Sequence, residues 1–251
     1  FPPRGIRELL EFGKFGRKML KLGDRKLKHF MELMTASCYD YLSKRFESDR
    51  VMAALSINGL IGTCVGPMTP GSAAVMLHHS IGGTIEGQTG AWGYVKGGMS
   101  GIANALLRSV QDLGVEVKTN AEVSRLIVDN GVCRGVYLAN GDEYRARLVA
   151  SNLDPRRTFL KLCDKGTLPE DFTEAIKDFR IQGSSIKVNC ALSELPNWKA
   201  IPGQDPNAPH QQAMFEIAPS VEYLERAYDD LKYGRPSVRP FIDGNVASTM
   251  D

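Results

Sequence analysis

Residues 93–155 read GYVKGGMSGIANALLRSVQDLGVEVKTNAEVSRLIVDNGVCRGVYLANGDEYRARLVASNLDP, and the fold class turns on this stretch. Ile102, Ala103, Leu106, Leu107, Val110 and Leu113 recur at threes and fours, while Asn104, Arg108, Gln111 and Asp112 lie off that stripe, which predicts a helix over 102–113. Gly114 stands where a left-handed C-terminal cap belongs, and 115–119 alternates as a short strand does. Three further strands are predicted over 121–128, 132–139 and 142–150, joined at Asn130-Gly131 and Asn140-Gly141. Asn-Gly suits a type I′ turn because both residues tolerate positive φ, so the run reads as helix, strand and antiparallel meander. In the last strand Tyr144, Ala146, Leu148 and Ala150 share a face opposite Glu143, Arg145 and Arg147.

Upstream, residues 4–30 are basic, with Arg4, Arg7, Lys14, Arg17, Lys18, Lys21, Arg25, Lys26 and Lys28 against Glu8, Glu11 and Asp24. Ile6, Leu9, Leu10, Phe12, Phe15, Met19, Leu20 and Leu22 are interleaved, giving amphipathic helices that Gly13, Gly16 and Gly23 are expected to interrupt. Two readings stand: a solvated helix face beside a buried one, or a segment that lies on a membrane surface. The helical pattern continues over 24–46 and again over 48–60, before a Gly- and Pro-rich loop at 66–71. The apolar stretch 72–81 carries His78 and His79, and Gly82, Gly83, Gly87, Gly90 and Gly93 follow it.

Downstream of Asp154-Pro155, short helices are expected at 157–162 and 169–179 and a strand at 184–192. A Pro-rich loop at 196–209 follows, then a strand at 212–218, a helix at 220–231 and a strand at 238–246. The class is therefore α+β, with a partial α/β character in the middle.

With 251 residues the chain is long enough for one or two cores. Its 31 basic and 29 acidic side chains leave a net charge of +2, which gives no broad footprint for nucleic acid. Cys38, Cys64, Cys133, Cys163 and Cys190 are widely spaced, with no C-x-x-C pair, which points to reduced thiols in the cytoplasm or another reducing compartment and to no metal site. No stretch reaches the roughly 20 apolar residues that span a bilayer. The chain opens on Phe1 and ends on Asp251 without capping elements, and the expectation is an internal piece of a longer protein, whose targeting segment would lie elsewhere.

Gly97-Gly98-Met99-Ser100-Gly101 precedes the helix at 102–113, where glycines let a ligand approach a helix N-terminus closely. Lys96 comes before the glycines rather than after them, so this is no Walker loop. Adjacent histidines on a helix point about 100° apart and chelate poorly, leaving His78 and His79 as structural residues or as walls of a substrate cavity, together with Tyr94 and Met99.

The stretches RFESDRVMAAL (45–55), PMTPGSAAVMLHHSIGG (67–83), GAWGYVKGGMSGIANAL (90–106) and ARLVASNLDPRRTFLKL (146–162) resemble the phytoene dehydrogenase-like FAD-dependent oxidoreductases, which share their fold with amine oxidases. Within that family they are similar to the pyridine nucleotide-disulfide oxidoreductase domain-containing protein 2 group. The resemblance implies an FAD-binding domain assembled from separated segments. Residues 1–89 would form a mainly helical substrate-domain insertion, 90–155 the middle FAD segment, and 156–251 a second α+β substrate-domain segment. It also implies cofactor contacts at Gly97, Gly98, Val123, Ser151 and Asn152, although Val123 is equally well explained as a core strand residue. The family's G-x-G-x-x-G strand has no counterpart in these 251 residues, so the isolated chain is expected to hold FAD weakly and to be inactive.

The implied activity is dehydrogenation of an apolar or amine-like small molecule by an FAD enzyme, with homo-oligomerisation open. The alternative is a catalytically silent interaction or regulatory module on the same scaffold.

Overall fold

The computed structural model describes residues 5–81, 84–85, 88–89, 93–181 and 183–250. Arg4 of the basic segment and the glycines at 82, 83, 87 and 90 lie outside the described residues. In chain order the helices are α1 (Ile6–Leu20), α2 (Gly23–Thr35), α3 (Cys38–Leu42), α4 (Asp49–Ile57), α5 (Ser72–Ser80), α6 (Ser100–Asp112), α7 (Glu170–Asp178), α8 (Pro209–Gln212) and α9 (Val221–Lys232). The strands are β1 (Thr84–Ile85), β2 (Gln88–Thr89), β3 (Val123–Asp129), β4 (Val132–Leu138), β5 (Glu143–Arg145), β6 (Phe215–Ile217) and β7 (Ile242–Gly244). A π-helical turn spans Arg157–Lys161 and a 3-10 turn Ala247–Thr249. The fold is mixed α+β, with small antiparallel sheets among several helices. It divides into two units, residues 1–101 with 183–251, and residues 102–182.

The first unit has its core where α3, α4 and α9 meet. Cys38, Leu42, Met52, Ala53, Ile57, Leu60, Val221 and Leu224 are buried together. Ser48 caps α4 and Ser220 caps α9, each hydroxyl accepting a bond from a backbone N–H three residues on. Asp49 at the start of α4 accepts a 3.3 Å bond from the N–H of Val221, so the two helix starts are tied to each other. Glu225, one turn into α9, accepts a 2.9 Å bond from the N–H of Met68 and thereby fixes the Gly- and Pro-rich loop at 66–71. Cys38 is fully buried, its N–H donates to the Ser72 hydroxyl at 2.8 Å, and burial pushes its thiol pKa up, which suits an inert packing residue.

Two sequence expectations change here. α1 runs straight through Gly13 and Gly16, because one interior glycine costs only about 1 kcal/mol and the remaining ladder is kept. The break expected near Gly23 does occur, at residues 21 and 22, and Gly23 has φ 73. The helix expected over 24–46 also breaks, at Ala36 and Ser37, whose backbones are extended. Ser37 then caps α3: its hydroxyl accepts from the N–H of Asp40 at 3.0 Å and donates to the Asp40 carboxylate at 2.7 Å.

The second unit holds the meander in the order β3-β4-β5. Asn130 and Gly131 have φ 51 and 75, the pair of positive values that a type I′ turn requires. The second hairpin turns differently. Only Gly141 has positive φ, at 94, and Asn140 instead accepts a 3.1 Å bond from the N–H of Asp142, so its side chain shapes the loop. Gly135 in β4 has φ 152, and a Cβ there would come within 2.9 Å of the Arg145 Cα on β5. The outer edge of β3 is covered at Leu126, whose N–H donates to Leu162 at 2.7 Å.

Several expected strands shorten or fail. The strand expected over 142–150 is ordered only as Glu143–Arg145, and the stretches 115–119 and 184–192 form no strand. Val117, Leu148, Ile186 and Val188 are exposed. A period-two apolar pattern records a fit to neighbouring strands, and among the described residues these stretches have no neighbour to pair with. The strands expected over 212–218 and 238–246 are likewise reduced to β6 and β7, which pair with each other.

Candidate functional site

His78 and His79 lie in the last turn of α5, whose N-terminal cap is Gly71 at φ 88. With Ile61, Gly62, Thr63, Ala74 and Val75 they line an open depression of about 500 Å³. Four of these groups carry polar side chains or are glycine, but the walls are dominated by Ile61, Ala74, Val75 and ring carbon. The two rings meet edge to face, with centroids 5.4 Å apart and planes at 83°. His79 Nδ1 lies 3.0 Å from the Val75 carbonyl one turn back. A carbonyl only accepts, so Nδ1 is the donor in this contact, and the tautomer that makes it has its lone pair on Nε2.

Tyr94, Gly97, Gly98 and Met99 form a second group, close together along the chain before α6. The Tyr94 hydroxyl accepts a 3.2 Å bond from the Asn245 amide, a contact between residues 151 apart that sequence periodicity gives no sign of. Gly97 and Gly98 have φ 77 and 78, and nothing stands within 4 Å of where a Cβ would be. The N–H of Gly98 closes this turn on the Val95 carbonyl at 2.9 Å. Met99 is exposed. The space beside Gly97 and Gly98 is thus open where side-chain-bearing residues in the same conformation would project.

Val123 opens β3, half-buried and opposite Leu138. The register shifts directly after it, between Val123 and Arg125, so the ladder is irregular at this point. Ser151 and Asn152 lie in the irregular segment after β5. The Ser151 hydroxyl is 3.0 Å from that of buried Thr158 and accepts a 3.3 Å bond from the N–H of Leu153. Asp154 accepts from the N–H of Arg157 at 3.0 Å, so the Ser151–Asp154 loop caps the π-helical turn. Asn152 is exposed and is the one member of the pair whose side chain this capping leaves out. Thr158 and Asn245 are the site neighbours that reading the sequence missed; the Asp-Pro-x-Arg spacing at 154–157 is the signal that could have marked the first.

The five cysteines form no disulfide, and among the described residues no three His, Cys, Asp or Glu side chains gather as metal ligands. Among the described residues no helix is long and apolar enough to cross a membrane.

The sequence profile of the family described as FAD binding domain matches residues 22–174. Pyridine nucleotide-disulfide oxidoreductase domain-containing protein 2 of Mus musculus is 35% identical to the chain over 242 residues, covering 94% of this chain and 42% of that protein. Its counterpart from Rattus norvegicus is 36% identical over the same shares of each. The phytoene desaturase (lycopene-forming) of Pseudescherichia vulneris is 29% identical over 180 residues, 64% of this chain and 35% of that one. The chain spans less than half the length of these relatives.

Proposed function

This chain belongs to the FAD binding domain family, and from that premise we propose that the whole protein is an FAD-dependent oxidoreductase of the dehydrogenase or desaturase kind, acting on an apolar or amine-like small molecule. The observation that carries the reading is the family match over residues 22–174, which takes in the glycine turn, α6 and the meander. In this reading residues 90–155 are the middle segment of the FAD domain, flanked by substrate-side segments at 1–89 and 156–251.

Within each unit by itself, the residues present suit a flavin nucleotide. Gly97 and Gly98 leave open space where side chains would stand, so a bulky ligand can meet the backbone directly. Val123 would offer backbone groups at the irregular start of β3, and Asn152 rather than Ser151 would offer a side chain, because the Ser151 hydroxyl already serves Thr158 and Leu153. When bound, FAD takes up the hydride equivalent that the substrate loses.

The chain's own part is binding, orientation and exclusion of water. Ile61, Ala74 and Val75 give the depression an apolar wall that a hydrocarbon substrate would cover, releasing ordered water. His79, with Nδ1–H held by Val75, has Nε2 as an acceptor for an amine or hydroxyl proton of a substrate. Tyr94, fixed by Asn245, and Met99 add polar and polarisable surface near the glycine turn.

The test is to purify the protein from its complete reading frame and record its visible spectrum, then add polyene or amine substrates without oxygen. A yellow protein whose flavin bleaches with one of them supports the reading. A colourless protein that takes up no added FAD assigns the scaffold to the silent interaction module instead.

A further inference from the structure

The depression beside α5, which lies wholly within the first unit, has an apolar wall of Ile61, Ala74 and Val75, and no Asp, Glu, Lys or Arg stands among its described lining residues. Its polar side chains are already half used. The Thr63 hydroxyl donates to the Leu60 carbonyl at 2.9 Å, so its proton is committed and only its lone pairs stay available. His79 is committed in the same sense, with Nδ1 on the Val75 carbonyl at 3.0 Å, and the tautomer that makes this contact keeps Nε2 as an acceptor. His78 is exposed and edge-on to His79, and neither of its ring nitrogens is hydrogen-bonded among the described residues, so an N–H is left for a ligand lone pair.

What such a wall takes follows from this inventory. A group that only accepts, such as a carboxylate, a ketone or an ether, meets lone pairs at Thr63 and His79. An ammonium has protons to give, but no carboxylate among the described lining residues balances its charge, and taking a charge off water without a partner is costly. A hydroxyl is neutral, gives one proton and accepts another, which matches His79 and His78 together. The volume of about 500 Å³ lies within the range of about 300–1,000 Å³ typical of organic ligand sites, so the hydroxyl comes on a body large enough to cover the apolar wall.

We propose that this depression takes the hydroxyl end of a neutral, largely apolar alcohol. The hydroxyl donates to Nε2 of His79 and accepts from His78, and the carbon body covers Ile61, Ala74 and Val75, releasing ordered water from them. The proposal rests on the substrate-side reading of the depression and narrows its ligand from apolar or amine-like to neutral and hydroxyl-bearing. No bond is made or broken here: the residues bind the alcohol and set which of its ends enters first.

The experiment titrates the 251-residue chain, isotope-labelled at histidine and free of flavin, with 1-octanol, octylamine and octanoate at neutral pH, each below its aggregation limit. Octanol is expected to bind roughly tenfold more tightly than either ion and to move the Nε2 resonance of His79 while those of His29 and His210 stay in place. His79→Phe keeps an aromatic wall without the acceptor and should weaken octanol binding about fivefold. Ala74→Glu supplies the carboxylate that the wall lacks and should turn the preference toward octylamine. Unchanged far-ultraviolet spectra check that both variants fold. Octylamine or octanoate binding to the parent as tightly as octanol, no octanol-induced shift at His79, or a His79→Phe variant that binds octanol like the parent overturns the proposal. Each of those results leaves the flavin reading standing, because that reading is tested by the colour of the whole protein. A colourless whole protein beside a chain that takes octanol through His79 would strike the flavin reading and uphold this one.

Discussion

α6 and α9 are both amphipathic helices, and the structure treats their apolar faces in opposite ways. Leu224 of α9 is 1% exposed, packed with Val221 against α4, whereas Leu106 of α6 is 63% exposed and no residue of that helix is buried. Periodicity records that a face is made for cover; it carries no information on which surface supplies the cover. The same holds for 115–119 and 184–192, where alternation stands without pairing. The region around α3, α4 and α9 therefore holds its own stability, and the region around α6 presents apolar surface that the flavin-domain reading would put to use.

The largest expected effect comes from the covered helix. Leu224→Ala should lower the unfolding free energy of the chain by about 2–5 kcal/mol, because it opens a cavity in a packed core. Leu106→Ala should change it by no more than about 0.5 kcal/mol. Urea denaturation of both variants checks the pair, and equal losses would erase the distinction drawn between the two helices.

Within the second unit the meander is the exception, being self-contained. Gly135→Ala should destabilise it by about 1–3 kcal/mol, since φ 152 is closed to L side chains and the new methyl would press on the Arg145 backbone. Loss of dispersion in the β4 and β5 amide resonances at low denaturant is the readout. An Ala variant as stable as the parent would mean that β5 is not held as described.

How much of this was legible in the sequence follows from the range of the interactions. Asn130-Gly131 specified its turn because two positive φ values are a local demand, and the helices expected over 48–60 and 220–231 start where Ser48 and Ser220 cap them, a local interaction too. Asn140-Gly141 was misread as the same turn, since the Asn140 side chain bonds to Asp142 and shapes a different loop. The Tyr94–Asn245 and Met68–Glu225 bonds join residues far apart in the chain, and nothing near either partner signals them. The candidate cofactor residues were legible as glycines and as family positions, but the engagement of Ser151 with Thr158 was visible only in three dimensions.

Glu225 offers a sharper probe of the first unit. Glu225→Ala should cost about 1–3 kcal/mol, because the N–H of Met68 loses its partner next to a packed helix. A shift in the midpoint without a change in slope would place the effect on the native fold. An unaltered midpoint would show that the Gly- and Pro-rich loop at 66–71 is held by other means.

The smallest effect concerns β6 and β7, where Glu216 stands opposite Asp243. Partial desolvation, and then the negative charge of Asp243, raise the pKa of the largely exposed Glu216 above its ordinary value. A carboxyl with a raised folded-state pKa favours the folded state when protonated, so its contribution is fully present below the unfolded-state pKa and is lost as pH rises through the folded one. Glu216→Gln should therefore stabilise the chain slightly at neutral pH, within about 0.5 kcal/mol, and should flatten the fall in stability between acidic and neutral pH. Melting curves across that range check the sign, and a variant less stable than the parent at neutral pH would reverse it.

The most direct measurement is native-state amide hydrogen exchange of the 251-residue chain, read helix by helix. The account predicts that amides of α4 and α9 around Ala53, Leu224 and Ala227 exchange only through global unfolding, while those of α6 around Leu106 open at a much smaller free-energy cost. Protection of α6 equal to that of α9 would contradict it, because it would mean that the leucine stripe of α6 is already covered within this chain.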